Sequence, residues 1–167
     1  MFRWQLDDPD ITARGEGAAR VTAPDSARLD FFLAGGAASG LAILIGDDLR
    51  LPPRAEELSQ RLVPPAPLLW AALGRLGLPG ANDTTVRVDA DTTRADIGSP
   101  VAWRLTFVRD SLRRVDRVQG GRIIEWVERF PDGRIRYRHE PNRRQLELTI
   151  TRSDAVSAFD PEIWVLP

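Results

Sequence analysis

His139 is the single histidine of the chain, the one side chain that titrates near neutral pH without help from its surroundings. It stands in RIRYRHE (134–140), between Arg138 and Glu140. A general base there would serve a hydrolase. The strand reading instead places it opposite the face of Tyr137, exposed to water. Asp89, Asp91 and Asp96 could hold a hard cation across a turn, but no EF-hand spacing accompanies them, and solvation of the turn accounts for them; no metal is expected. Gly35, Gly36 and Gly40 lack the lysine and the following helix of a phosphate loop. Ser39 and Ser99 have no His–Asp pairing in the sequence. Glu125 and Glu128 would do glycosidase chemistry only across a cleft. Glu125 alternates with Ile124 and Trp126 and is expected to face solvent. Arg134, Arg136, Arg138, Arg143 and Arg144 flank Tyr137, with Asp132, Glu140 and Glu147 among them. That mixture reads as a solvated strand face with cross-strand ion pairs, not as a nucleic-acid surface of basic groups and free aromatics. The expected protein is not an enzyme and needs no cofactor.

The composition agrees with a single soluble domain spanning residues 1–167. The 167 residues are 43% hydrophobic and 28% charged, with a net charge of −1, so no global field draws the chain to polyanions. Residues 1–100 carry 10 arginines against 14 acids and residues 101–167 carry 13 against 10, which leaves −4 and +3. There is no lysine and no cysteine. Disulfides, thiolate metal sites and cysteine nucleophiles are thereby excluded. No run approaches the roughly 18 apolar residues of a membrane span. Residues 1–10 are polar and acidic and do not read as a signal peptide, although Met1 leads straight into the strand-like FRWQL, as it would after a lost leader.

What remains is apolar surface that must be positioned. The pattern predicts strands at 2–7, 15–23, 26–34, 40–46, 85–90, 93–98, 101–109, 112–119, 122–130, 134–140 and 144–152. Turns such as Pro131-Asp132-Gly133 and Gln119-Gly120-Gly121 separate them. Strands every ten or so residues indicate an antiparallel barrel or sandwich. Residues 40–46 are apolar on both faces and therefore expected to be buried on both. Residues 55–62 could make two helical turns. Residues 66–77 read as one short helix closed by Gly77 and Pro79, with apolar side chains most of the way round, Leu76 included; such a helix is buried on several sides. The tail 159–167 could pack Ile163, Trp164 and Leu166 onto the body. The fold expected is α+β: an incomplete antiparallel β-barrel, strongly curved, with a short helical plug on its concave side. Leu29, Phe31, Leu33, Leu41, Ile43, Ile45, Trp103, Leu105, Phe107, Ile124, Trp126, Leu146, Leu148 and Ile150 would line the sheet, and Leu68, Leu69, Trp70, Leu73 and Leu76 the helix.

Several runs resemble the LolA/LolB family of lipoprotein-localisation proteins, and the LolB-like side more closely. ARLDFFLAGGAASGLAILIGDDLRLPP is similar to that group's paired strands joined by a protruding loop. AEELSQRLVPPAPLLWAALGRLGLPG resembles its helix, proline break, second helix and closing Leu-Pro-Gly. VAWRLTFVRD and RRQLELTITR resemble two later strands. The likeness covers residues 1–155 at low identity and rests on the order of elements. Two positions depart from it. The protruding loop, Gly35-Gly36-Ala37-Ala38-Ser39-Gly40, lacks the bulky apolar residue that the family uses for delivery to the membrane. Ala23 stands where LolA-like proteins carry an arginine before the proline.

The resemblance implies a non-enzymatic carrier or receptor that takes a lipoprotein acyl chain or another lipid into an apolar cavity. The residues expected to bind it are Leu29, Phe31, Leu33, Leu41, Ile43, Leu69, Trp70, Leu73, Trp103, Leu105, Phe107, Trp126 and Leu148. The implied place is the periplasm or the periplasmic face of the outer membrane, as a monomer, with peripheral or lipid-anchored association and an envelope protein as a possible partner. The competing reading is a cell-envelope structural or protein-interaction module whose core is simply filled.

Overall fold

A computed structural model describes residues 1–34, 38–52, 61–78, 80 and 83–166. Among the described residues twelve strands form one open antiparallel sheet: β1 (Phe2–Asp8), β2 (Ile11–Thr22), β3 (Ser26–Leu33), β4 (Ala38–Ile45), β5 (Asp48–Arg50), β6 (Thr84–Asp89), β7 (Thr92–Ile97), β8 (Trp103–Val108), β9 (Ser111–Gln119), β10 (Arg122–Arg129), β11 (Arg134–His139) and β12 (Arg144–Ile150). Their spatial order is β5-β4-β3-β2-β1-β12-β11-β10-β9-β8-β7-β6. Two meanders, β1–β5 and β6–β12, thus lie side by side, and the β1–β12 pairing joins them with Phe2 opposite Ile150 and Leu6 opposite Leu146. Every other pairing is a local hairpin, as the turn signals require.

Helix α1 (Ala66–Ala72) lies between the meanders in sequence and packs on one face of the sheet, against β9, β10 and β11. Proline in its first turn suits a position whose N–H has no helical partner. Leu68 through Ala72 are all buried, as an all-round apolar helix demands. The helix is shorter than the sequence predicts. Gly74 adopts φ +80° and ends it, and Leu76 is 52% exposed where burial was expected. Of the expected helix at 55–62, residues 61 and 62 are helical; the rest lies outside the described residues, as do Gly35, Gly36, Ala37 and Pro79.

Register decides which side chains share the face under α1. Phe2 and Trp4 of β1 meet Phe31 of β3 across the glycines of β2, and Leu6, opposite Ala13, continues the same face. The rings of Phe2 and Phe31 stand edge to face at 5.5 Å, and those of Trp4 and Phe31 at 6.1 Å. Gly15 and Gly17 make this possible, because a side chain at either would occupy the same space. Leu29 pairs with Ala42 and Arg28 with Ile43. Leu41, Ile43 and Ile45 therefore sit on the opposite face from Leu29 and Phe31, which corrects their expected place. The prediction that this strand is buried on both faces holds, since Leu41, Ala42, Ile43 and Leu44 are all buried. On the face of Ile43, a 3₁₀ turn (Pro161–Trp164) lies against β3, and Arg28 Nη1 donates to Ile163 O at 2.8 Å. Ile163, Trp164 and Leu166 are half-buried there, as the tail's apolar residues led one to expect.

β10 is inverted relative to expectation. Val127 faces Val115 and Tyr137 and is buried, whereas Trp126 pairs with Asp116 and Arg138 on the other face. The Arg114 guanidinium stacks 4.1 Å from the Trp126 ring, and Trp126 Nε1 donates to Glu140 at 2.9 Å. The indole thus has a cation on its face and an acceptor at its edge, so the outward position satisfies it. Glu125 consequently points in and is 3% exposed. An irregularity in pairing between Ile123 and Glu125 sets this phase.

Candidate functional site

The space directly beneath α1 is filled. Leu29, Phe31, Leu62, Leu69, Tyr137 and Leu148 close around a void of only ≈ 10 Å³. Trp70 lines neither this void nor a larger one. Its indole Nε1 donates to Gly46 O at 2.8 Å, and its ring fills the place a side chain at Gly77 would take. Trp70 is therefore a clamp between the helix and the β4–β5 turn, not part of a binding wall.

A cavity of ≈ 520 Å³ opens instead beside the C-terminal half of α1. Leu69, Ala72 and Leu73 form the helix wall. Phe2, Ala19, Val21, Leu29, Leu148 and Ile135 form the sheet wall, and Val156 and Phe159 of the tail form the outer wall. The tail is led there by the end of β12: Thr151 N donates to Met1 O at 3.0 Å, the Met1 amino group donates to Arg152 O at 2.7 Å, and beyond Arg152 the backbone leaves the sheet. Its size lies within the range of small-molecule sites, and a largely apolar wall with few polar groups is their usual make-up.

Of the residues expected to bind, Leu29, Leu69, Leu73 and Leu148 line this cavity. Phe31 reaches only the small void. Leu105, Trp103 and Phe107 share the α1 face but pack within the core. Leu33 is 36% exposed and borders a shallow hollow whose walls carry Arg3, Arg14 and Glu16. Leu41, Ile43 and Trp126 are on the far face. Sequence reasoning missed Phe2, Ala19, Val21, Ala72, Ile135 and the tail residues. The alternation of β1 and β11 pointed to Phe2 and Ile135; nothing local marked the tail.

One charged side chain reaches the cavity from β10. Arg129 is half-buried and makes no hydrogen bond or ion pair among the described residues; its Nε is buried without a partner. Burial, and then the nearby charge of Arg113, lower its pKa from the ordinary arginine value. A guanidinium still stays protonated in any accessible pH range. Gly74 leaves it room: a side chain there would lie 2.4 Å from Arg129 Nη1.

A second polar cluster surrounds Glu125. Arg117 and His139 both face it, with His139 Nε2 3.5 Å from Glu125 Oε1. His139 therefore shares the face of Tyr137, which corrects its expected place: residues two apart on a strand point the same way. His139 Nδ1 accepts from Asn142 N–H at 3.2 Å. That bond uses the basic nitrogen and leaves Nε2 as the protonated one, turned to the carboxylate. The ring is held as a donor, which argues against a general base. Burial, reinforced by the Glu125 charge, raises the Tyr137 phenol above its ordinary pKa.

Ion pairs tie the ends of the meanders. Asp8 accepts from Arg144 Nε at 2.8 Å and from Arg61 Nη1 at 3.0 Å. Burial alone would raise the Asp8 pKa, but the bonds from Arg144 and the Asp10 N–H, with the Arg61 charge, hold it below its ordinary 3.8. A depressed carboxylate stabilises the fold above its unfolded pKa, and this contribution is lost as pH falls through the folded value. Stability at this joint is expected to be constant from neutrality to about pH 4 and then to decline. Asp8→Asn should cost about 1–3 kcal/mol near neutrality and flatten that decline. Melting temperatures by circular dichroism between pH 7 and pH 2 check both.

The chain matches no protein-family model and no curated protein. Among the described residues no helix is long and apolar enough to cross a membrane.

Proposed function

We propose that the protein is a non-enzymatic carrier that holds an acyl chain in the cavity beside α1. In this reading the sheet is an incomplete barrel of the LolA/LolB kind, bent around the helix, and the protein works in the periplasm or at the periplasmic face of the outer membrane. The observation that carries it is the ≈ 520 Å³ apolar cavity between Leu69–Leu73, the sheet and the tail.

The bend has its own support. Trp70 reaches Gly46 after β4, while Gly74, one helical turn on, abuts Arg129 of β10. Six strand spacings separate β4 from β10, roughly 29 Å in a flat sheet. One helical turn covers about 5 Å of that, and one indole and one guanidinium cannot bridge the remainder. The same cavity also touches β3 and β10, five spacings apart.

Burial supplies the affinity. Each methylene removed from water contributes about 0.8 kcal/mol, so a chain of about fourteen carbons gives about 11 kcal/mol. An association cost of about 4 kcal/mol leaves about 7 kcal/mol, which corresponds to micromolar binding. The filled space beneath α1 at Leu69 favours the rival reading, a structural module, only for that part of the interior. Entry would proceed at the tail, which bounds the cavity without sheet pairing.

Delipidated protein titrated with a fluorescent fatty acid is expected to bind it saturably, with a stoichiometry near one and micromolar affinity. Ala72→Phe, which projects a ring from the helix wall, should weaken binding by at least tenfold. Absence of saturable binding by the folded protein would leave the structural module as the better reading.

A further inference from the structure

We infer that the cavity selects an anionic amphiphile, an acyl chain with a carboxylate or phosphate head, and that Arg129 receives the head. The inference rests on the carrier reading above and adds the ligand's charge. Three observations meet at one place. The wall is largely apolar but contains three guanidinium groups, of which Arg20 and Arg152 are paired with Asp30 and Asp154 and Arg129 is not. The Arg129 guanidinium has no carboxylate and no hydrogen-bond partner among the described residues, and its Nε is buried without an acceptor. A cation left in this state is costly, because desolvation is not repaid by a partner.

The neighbourhood increases the cost instead of relieving it. Arg114 pairs with Glu128, so the next positions in register are Arg113 and Arg129, side by side on adjacent strands. Arg113 also has no ion pair among the described residues, and its charge bears on Arg129. Like charges directly opposite in a sheet are destabilising. Several arginines on neighbouring strands do find carboxylates: Arg104 meets Asp96, Arg136 meets Glu147, and Arg144 meets Asp8. Other arginines also lack an ion pair among the described residues, but Arg129 is the one whose unmet Nε lies on the cavity wall, where an incoming anion would remove both the unmet hydrogen bond and the repulsion. The planar fork of a guanidinium fits a carboxylate or a phosphate. The acidic side chain among the lining residues, Asp154, is already paired with Arg152 at 2.7 Å.

The test compares dodecanoate, dodecyl phosphate, dodecanol and dodecyltrimethylammonium by calorimetry on the delipidated chain, native and Arg129→Met. Both anions are expected to bind at least tenfold more tightly than dodecanol, as one charge-assisted bond allows, and the cation most weakly. The stronger of the two anions identifies the head group. In Arg129→Met this preference should vanish while dodecanol binding persists, and the melting temperature of the free protein should rise, since an unpaired cation has been removed. A merely structural arginine would lower it. Equal binding of dodecanoate and dodecanol to the native chain, or an undiminished preference in Arg129→Met, overturns the anion inference and leaves the carrier reading standing. Binding of none of the four ligands overturns both.

Discussion

Trp70→Ala is expected to destabilise the protein by about 3–5 kcal/mol, the usual loss for a buried large aromatic side chain. The ring is 4% exposed and does two things. It fills the space left by Gly77, and its N–H reaches Gly46 O in the turn after β4. Removal strands that carbonyl and loosens α1 from the β4–β5 turn while its contacts to β9, β10 and β11 remain. Trp70→Phe separates the two contributions. It keeps most of the packing and loses the hydrogen bond, for an expected cost of about 1 kcal/mol plus a small packing loss. Urea unfolding followed by tryptophan-independent circular dichroism measures both. Because Trp70 lines no cavity wall, Trp70→Phe should leave fatty-acid affinity within twofold. A large loss of affinity in that variant would return Trp70 to the binding site and contradict the geometry.

The second large effect is expected at Gly15. A side chain there would lie 1.8 Å from Phe32 O and 2.8 Å from the Trp4 ring. The first contact is with backbone held in the β2–β3 ladder, so it cannot be relieved by rotating a side chain. Gly15→Ala should cost about 3 kcal/mol, at the top of the range for overpacking. Gly17→Ala meets chiefly the Phe2 ring, at 2.2 Å, with Asp30 O at 2.7 Å, and should cost less because a ring can tilt. The ordering of the two variants in thermal melts tests whether β2 is pressed against its neighbours as described. If Gly15→Ala were neutral, the register of β1, β2 and β3 would have to differ.

These two sites mark where sequence was informative and where it was not. Most strands were legible to within two residues, because hairpin turns such as Pro131-Asp132-Gly133 bound them and alternation filled them. β2 instead begins at Ile11, four residues before the expected start, because its glycine- and alanine-rich sequence shows no alternation, and the three-residue β5 was not predicted. The helix was legible as buried, but its end was not. Gly74 reads as an ordinary interior glycine until its left-handed conformation and the Arg129 guanidinium beside it are seen. Face assignment failed where both phases of a strand were plausible. In RIIEWVERF the even phase, Ile124 and Trp126, is the more apolar, yet Val127 is the one that faces the core. Hydrophobicity could not weigh the Arg114 stack and the Glu140 acceptor that hold Trp126 outside. Nor could it weigh the Arg117 and His139 partners that allow Glu125 inside. The same inversion hid Arg129, which shares the phase of Val127. In GLAILIG both phases are apolar, and only the pairing with β3 separates Ala42 and Leu44 from Leu41 and Ile43. The tail's share in the cavity depended on a long-range contact, Thr151 and Arg152 with Met1, which no local pattern encodes.

The central claim is that an acyl chain occupies the space between the end of α1, the sheet and the tail. A crystal structure of the delipidated protein soaked with 12-bromododecanoate locates the ligand through the anomalous signal of bromine. The account predicts one bromine site among Leu73, Leu148 and Val21, with the carboxylate toward Arg129. Bromine found only on the outer charged face, or no ordered bromine in crystals of a protein that remains folded, would contradict it.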